Sequence, residues 1–450
     1  MSVSTHEREL TFPVFENERL GSQEYGGEEY EAVEAALNQV IDLDALRFTP
    51  PEVLLKEAVR IPKMYEENGG LVRVTSLDRQ PNSQEHVTQY FKDETQQPTR
   101  AFKVRGAFVA GWLALRENPN IRLFAAATAG NHGLGLTAFA NWCNQQSDGS
   151  RFEAHVFCSN GASVEKVDML RSSGAQVHQK DEHGKTLRTL EDAGEASGAF
   201  VSSQNSDGTE RAKIIPPFDS PEVMAGQATQ LLEIVTQLSE AGTNLLEAPL
   251  VVRGGSGGVG KECGIAVLMD RMVEAGLLHP DSCVVATQME GCDSMVRKLA
   301  LIDQGRGDED VDLFLTPDGT DTFDPSADGT AVRKPGKLNV PLAYYLRQKG
   351  RLMLVSVPKV MVGKAMQRAA VHGYRVEPAA ALSLAGSMAY AEANMVEHIT
   401  NPDSQTPYVE VCILSGGNMS LSTEKEFNRV VAEHPLGRLA IANGASTFAK

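Results

Sequence analysis

The chain has 450 residues, of which 42% are hydrophobic and 22% charged, and its formal net charge is −17. That length predicts two or three units of ordinary domain size with a substantial core. The acidic balance speaks against nucleic acid or an anionic membrane as the main partner, because both recruit clustered Lys and Arg.

The N-terminus, MSVSTHERELTF, lacks an apolar signal core. No apolar run approaches the ~18 residues of a membrane span. Six scattered cysteines (Cys143, Cys158, Cys263, Cys283, Cys292 and Cys412) form no CxxC pair, so reduced thiols in a cytoplasmic protein are expected.

Residues 1–60 read as a polar N-terminal extension with one helix over 28–46. The segment 102–116 predicts a helix with Val104, Ala107, Phe108, Gly111 and Leu115 near one face. An apolar run at 121–126 precedes a glycine-opened helix at 130–140. A strand at 154–158 follows, then a helix capped by Ser163 and stopped at Gly174. From Val201 a loop-rich stretch is expected. Ser220-Pro221-Glu222 starts a helix, with proline at its first position. Apolar strands are predicted at 250–252, 284–286, 353–357 and 409–414. Short buried strands alternating with helices indicate an α/β fold with mostly parallel sheets flanked by helices. The segment 303–328 carries nine acidic residues among Gly, Thr and Pro and reads as an exposed loop.

Four segments can carry chemistry. Gly254-Gly255-Ser256-Gly257-Gly258 follows a strand and precedes a helix. Converging backbone N–H groups and a helix dipole there would cradle a phosphate. Its glycine spacing suits neither a dinucleotide fingerprint nor a Walker loop, since Lys261 is not followed by Ser or Thr; alone, it also reads as a structural turn. In Thr99-Arg100-Ala101-Phe102-Lys103-Val104-Arg105-Gly106-Ala107, Lys103 lies at a helix start among apolar neighbours. Burial would lower its pKa and make it a nucleophilic amine. By itself the segment equally reads as an amphipathic helix with a surface lysine. Thr128-Ala129-Gly130-Asn131-His132-Gly133 lets backbone amides approach a ligand, or forms a helix cap. Ser415-Gly416-Gly417-Asn418 ends a strand, where ligands of parallel sheets bind, or forms a plain strand-to-helix turn.

Taken together and in this order, these segments resemble the threonine/serine dehydratase branch of the fold-type-II pyridoxal-phosphate enzymes, the tryptophan synthase β superfamily. Lys92-Asp93-Glu94, Val376-Glu377-Pro378-Ala379-Ala380 and Ala327-Asp328-Gly329-Thr330 extend the resemblance, which covers roughly residues 60–425. It implies two domains, each with a central mostly parallel sheet: 61–114 with 201–450 as the large cofactor-binding domain, and 115–200 as a small inserted one. It implies pyridoxal 5'-phosphate as cofactor, with Lys103 as Schiff-base and catalytic lysine. Asn131 would meet the pyridoxal 3-oxygen, Gly254, Gly255, Ser256, Gly257 and Gly258 the phosphate, and Ser415 the ring nitrogen. Thr128, Ala129, Gly130, Asn131 and His132 would hold the substrate carboxylate.

The implied activity is β-elimination of a small β-hydroxy amino acid such as threonine or serine, giving a 2-oxo acid and ammonia. β-Replacement and diaminopropionate-type ammonia-lyase chemistry are the alternatives; a fold retained only for binding is a third. Ala129 stands where related racemases place Ser and diaminopropionate lyases Asp, which favours elimination. Gln288 and Ser294 stand where a bound cation would want carboxylates, so no metal is expected. The stretch Gly258-Val259-Gly260-Lys261-Glu262-Cys263 makes the glycine loop longer than is usual in the family. A homodimer is the expected assembly.

Overall fold

The structure is a computed structural model that describes residues 25–54, 58–60, 71–81, 86–128, 130–147, 149–392 and 407–433. Its strands form two sheets. The larger contains β1 (Leu77–Arg79), β2 (Val87–Asp93), β7 (Leu250–Gly255), β8 (Cys283–Met289), β9 (Leu352–Val357) and β10 (Tyr408–Leu414), in the spatial order β1-β2-β10-β7-β8-β9. Only β1 runs antiparallel to its neighbour. The smaller contains β3 (Leu123–Ala127), β4 (Glu153–Phe157), β5 (Gln176–His178) and β6 (Ala212–Ile214), in the order β5-β4-β3-β6 and all parallel. The apolar runs predicted from the sequence lie on six of these strands, β3, β4 and β7 to β10. β7, β8 and β10 are buried along their whole length. Strands covered on both faces need continuous apolar sequence rather than alternation.

Several helix starts follow from local chemistry. Ser163 accepts a hydrogen bond from Lys166 N at the start of Val164–Ser173, and Gly174 ends that helix at φ +100°. Ser220 caps Pro221–Glu240. The loop expected from Val201 is instead the last turn of a helix, Leu190–Gln204. Thr189 and Asp192 form a reciprocal capping box there, which fixes the start of a segment too rich in Ala, Gly and Ser to show an apolar stripe. The first described helix is also shorter than 28–46. It spans Gly27–Val40, then Ile41 turns extended and bridges Val59. β6 of the smaller sheet lies beyond residue 200.

Two helices position the chemistry. Pro221–Glu240 is buried along most of its length, and Lys103–Glu117 packs on it. A closed charge network joins them. Arg105 gives two 2.8 Å hydrogen bonds to Glu94 and one of 2.6 Å to Glu233. Lys92 Nζ meets Glu233 at 2.6 Å. All four side chains are 0% exposed. Thr75 donates to both carboxylates and accepts from Lys92.

Candidate active site

The N-terminus of the Lys103 helix is stitched to the end of β10. Phe102 N donates to Ser415 O at 3.1 Å, and Ala101 bridges Gly416. Lys103 and Ser415 are therefore brought together although they are far apart in sequence. The Lys103 side chain keeps partial access to solvent, and its Nζ donates to Pro217 O at 2.6 Å. No carboxylate forms a salt bridge with it among the described residues. Enclosure by protein atoms lowers its pKa to about 8; Glu262 opposes that shift and Lys261 adds to it. Roughly one amine in ten is then uncharged at pH 7, against fewer than about one in a thousand for an ordinary lysine.

The helix Asn131–Gln146 comes close because Gly135 has no side chain: a Cβ there would lie 3.1 Å from the backbone of Lys103 and Val104. Its first residue, Asn131, donates to Glu377 Oε1 at 2.6 Å and accepts from Asn418 Nδ2 at 2.8 Å. Glu377 is 2% exposed, and its Oε2 has no hydrogen-bond partner. Burial pushes its pKa up to about 7; Lys166 opposes that rise and Asp328 reinforces it. Glu377 N also donates to Gly416 O, so Asn131, Glu377, Ser415 and Asn418 form one polar cluster.

Thr128 Oγ1 accepts from Gly130 N at 3.3 Å. His132 is buried, and its Nε2 lies 2.8 Å from Ile215 O, leaving Nδ1 without a partner. Burial first, and the Lys103 charge second, lower its pKa to about 3. The ring is therefore neutral, with Nε2–H as donor. Ala129 lies outside the described residues.

The glycine loop joins β7 to the helix Gly260–Glu274. Gln288 Nε2 donates to Gly257 O and Asn339 Nδ2 to Gly258 O. Those side chains hold the carbonyls and leave the N–H groups of Gly257 and Gly258 unpaired among the described residues. Ser256 Oγ, 2% exposed, is also without a partner. Buried polar groups are normally satisfied, and an anion accepting from these donors would satisfy them. The residues fit a phosphate-bearing aldehyde: donors for the phosphate, a lysine of lowered pKa for the aldehyde, and a hydroxyl and amides for ring atoms.

Fold and site thus define an α/β protein in which a half-buried lysine of lowered pKa and a glycine loop with unpaired donors lie at the ends of a mostly parallel sheet. Residues 69–403 match the model of the pyridoxal-phosphate dependent enzyme family, and the chain belongs to that family. It is 28% identical over 332 residues to the biosynthetic L-threonine dehydratase of Corynebacterium glutamicum, covering 73% of this chain and 63% of that protein. The chain therefore spans just under two thirds of that relative's length. It is also 28% identical to an L-threonine ammonia-lyase of Geobacter sulfurreducens, covering 74% of this chain and 68% of that protein. A processed threonine deaminase of Solanum lycopersicum shares the fold, with a TM-score of 0.60 and 20% identity over 93% of this chain and 98% of that one. The fold class expected from the sequence, that of the fold-type-II enzymes, is the one found.

Sequence reading assigned no role to Glu377, Asn418 or Lys261. Glu377 and Asn418 stood inside motifs already singled out, but their partner Asn131 lies 246 and 287 positions away. Only folding reveals those pairings. The acidic segment 303–328 is tied down more than a free loop would be: Arg333 binds Asp312 and Asp321, and Asp328 reaches Lys166.

Proposed function

We propose that this enzyme eliminates the β-substituent of a small β-hydroxy amino acid, threonine or serine, to give a 2-oxo acid and ammonia. The observation that carries the reading is the half-buried amine of Lys103, which has no salt bridge among the described residues and whose helix start is tied to the Ser415–Asn131 cluster. When bound, pyridoxal phosphate supplies an aldehyde that takes up the substrate amine and a conjugated ring that accepts the electron pair left at Cα.

The chain's own residues do the rest. Lys103 would hold the cofactor, and its amine, when free, would take the Cα proton. Its lowered pKa keeps a useful fraction of that amine unprotonated. Ser415 would meet the ring nitrogen, and a hydroxyl would hold a proton there poorly, which would favour loss of the β-group over transamination or racemisation. Asn131, held by Glu377 and Asn418, orients the 3-oxygen. Ser256 Oγ and the amides of Gly257 and Gly258 would hold the phosphate at the end of the strand that carries Gly254 and Gly255, and the segment 128–132 would take the substrate carboxylate. The β-hydroxyl would leave as water, its added proton balancing the one Lys103 takes from Cα, and the released enamine hydrolyses to the 2-oxo acid and ammonia.

The same reading divides the chain into a large unit around the six-stranded sheet and a small one around the four-stranded sheet, beginning near residue 115. It also makes the enzyme a cytoplasmic homodimer that binds neither nucleic acid nor membrane. The net charge of −17 supports this, as do six buried, unpaired cysteines. No helix among the described residues is long and apolar enough to cross a membrane.

The test is to reduce the holoenzyme with borohydride, map the labelled peptide, and assay serine, threonine, 3-hydroxyaspartate, diaminopropionate and O-acetylserine for 2-oxo acid. Label on Lys103 with release from serine or threonine is expected. Label elsewhere, or a new amino acid as the sole product, overturns the proposal.

A further inference from the structure

The lengthened part of the glycine loop holds two charges that the proposed reaction does not use. Lys261 and Glu262 lie in the first turn of Gly260–Glu274 and are 3% and 2% exposed. Lys261 Nζ touches Glu262 Oε1 at 2.5 Å, but neither atom has a well-directed hydrogen bond. Both lie directly against the first loop glycine: a Cβ on Gly254 would be 2.5 Å from Lys261 Nζ and 2.1 Å from Glu262 Oε1. Lys261 Nζ is 5.3 Å from the centre of the Phe102 ring, and Lys103 Nζ is 5.1 Å from the same centre. The Lys261 ammonium thus borders the first loop glycine and shares the Phe102 ring with Lys103.

A carboxylate buried beside an anion cradle repels the anion it should admit. A lysine touching that carboxylate cancels the repulsion, and it has donor capacity left for a second acceptor. We propose that Lys261 is a ligand of the cofactor phosphate, and that Glu262 is the counter-ion it holds while the cradle awaits that phosphate. Lys261 adds a charge-assisted hydrogen bond to the backbone amides and helix terminus. Glu262 opposes phosphate binding and sets how tightly the cofactor is retained. This rests on the glycine loop being the phosphate site.

The experiment titrates full-length apoenzyme with pyridoxal 5'-phosphate and, separately, with pyridoxal, which lacks the phosphate. K261Q should weaken the phosphorylated compound roughly 10- to 100-fold relative to pyridoxal, K261R should recover much of that loss, and E262Q should tighten the phosphorylated compound several-fold. The phosphorus NMR signal of the bound cofactor should be flat from about pH 6 to 9 in the parent and should titrate in K261Q. A preference for the phosphorylated compound that changes less than about two-fold in K261Q overturns the role of Lys261. So does an equal loss of preference in K261Q and E262Q, which would mark the pair as merely structural. Either result with cofactor still trapped on Lys103 leaves the proposed function standing; absence of label on Lys103 removes that function itself.

Discussion

Two groups of buried charge lie on either side of the helix Lys103–Glu117 and are treated in opposite ways. Behind it, Lys92, Glu94, Arg105 and Glu233 are fully enclosed, and every charge meets an opposite one at 2.6–2.8 Å. In front of it, Lys103 has a carbonyl for a partner, Glu377 has one oxygen on an amide and one on nothing, and His132 has a bare Nδ1. Pairing within a low-dielectric interior locks groups into one charge state, whereas enclosure without an opposite charge moves the Lys103 amine and the Glu377 carboxyl towards neutral pH and holds His132 neutral. The first group therefore fixes the helix, and the second is kept ready to react. Lys103 and Arg105 lie two residues apart and belong to different systems because successive helix positions face different neighbours.

Removing the front amine gives the largest expected effect. Lys103→Ala should lower 2-oxo-acid release by roughly 10⁴-fold or more, the upper end of what a proton-transfer group contributes, and should abolish borohydride labelling. Because no opposite charge is orphaned, the urea midpoint should stay level or rise. Unaltered ammonia release would show that the front group is not the reacting one.

Arg105→Met tests the back group and should do the reverse. Glu94 and Glu233 would keep their burial and lose their main cation, with a stability loss of about 3–5 kcal/mol. Denaturant unfolding measures it directly. A loss below about 1 kcal/mol would mean that the network is not what holds the helix.

This contrast was only half legible in the sequence. Strands β7, β8 and β10 were visible because doubly covered strands are apolar at most positions, even though β7 carries Arg253 and β10 its partner Glu410. Lys103, Asn131 and the glycine loop were visible as short motifs whose residue types suit one chemistry. Pairings such as Lys92–Glu233 were not, since they join residues 141 positions apart and nothing local to either partner signals them. The helix Leu190–Gln204 was missed from the opposite side. Its composition resembles a loop, and Thr189-Leu190-Glu191-Asp192 was the one local signal that it starts there.

Glu377→Gln sharpens the comparison by removing a charge while keeping the shape. The folded-state pKa is about 7 against an ordinary 4.5. A raised carboxyl pKa stabilises the fold fully below about pH 4.5, and that contribution is lost as pH rises through about 7. The glutamine variant cannot lose it. Its stability relative to the parent should therefore climb by about 2–3 kcal/mol between pH 5 and 8. Parallel stability-against-pH curves for the two proteins would show that Glu377 does not titrate in this range. The pH dependence of turnover should also lose any inflection near 7.

The smallest effect belongs to a place with no buried charge at all. Thr189 starts the helix Leu190–Gln204, its side chain accepting from Asp192 N at 3.0 Å while Asp192 Oδ2 accepts from Thr189 N at 3.1 Å. Thr189→Ala removes one half of that box and should reduce stability by about 1 kcal/mol. Turnover should be unchanged, because the cap touches neither charge system. Hydrogen exchange should quicken in the first turn of Leu190–Gln204 and nowhere around Lys103. If turnover also fell several-fold, the smaller sheet would be coupled to the amine through His132 and its hydrogen bond to Ile215 O, a contact in the chain stretch that leads from β6 towards Lys103's partner Pro217. The separation between a fixed back and a reactive front would then have to include a third element.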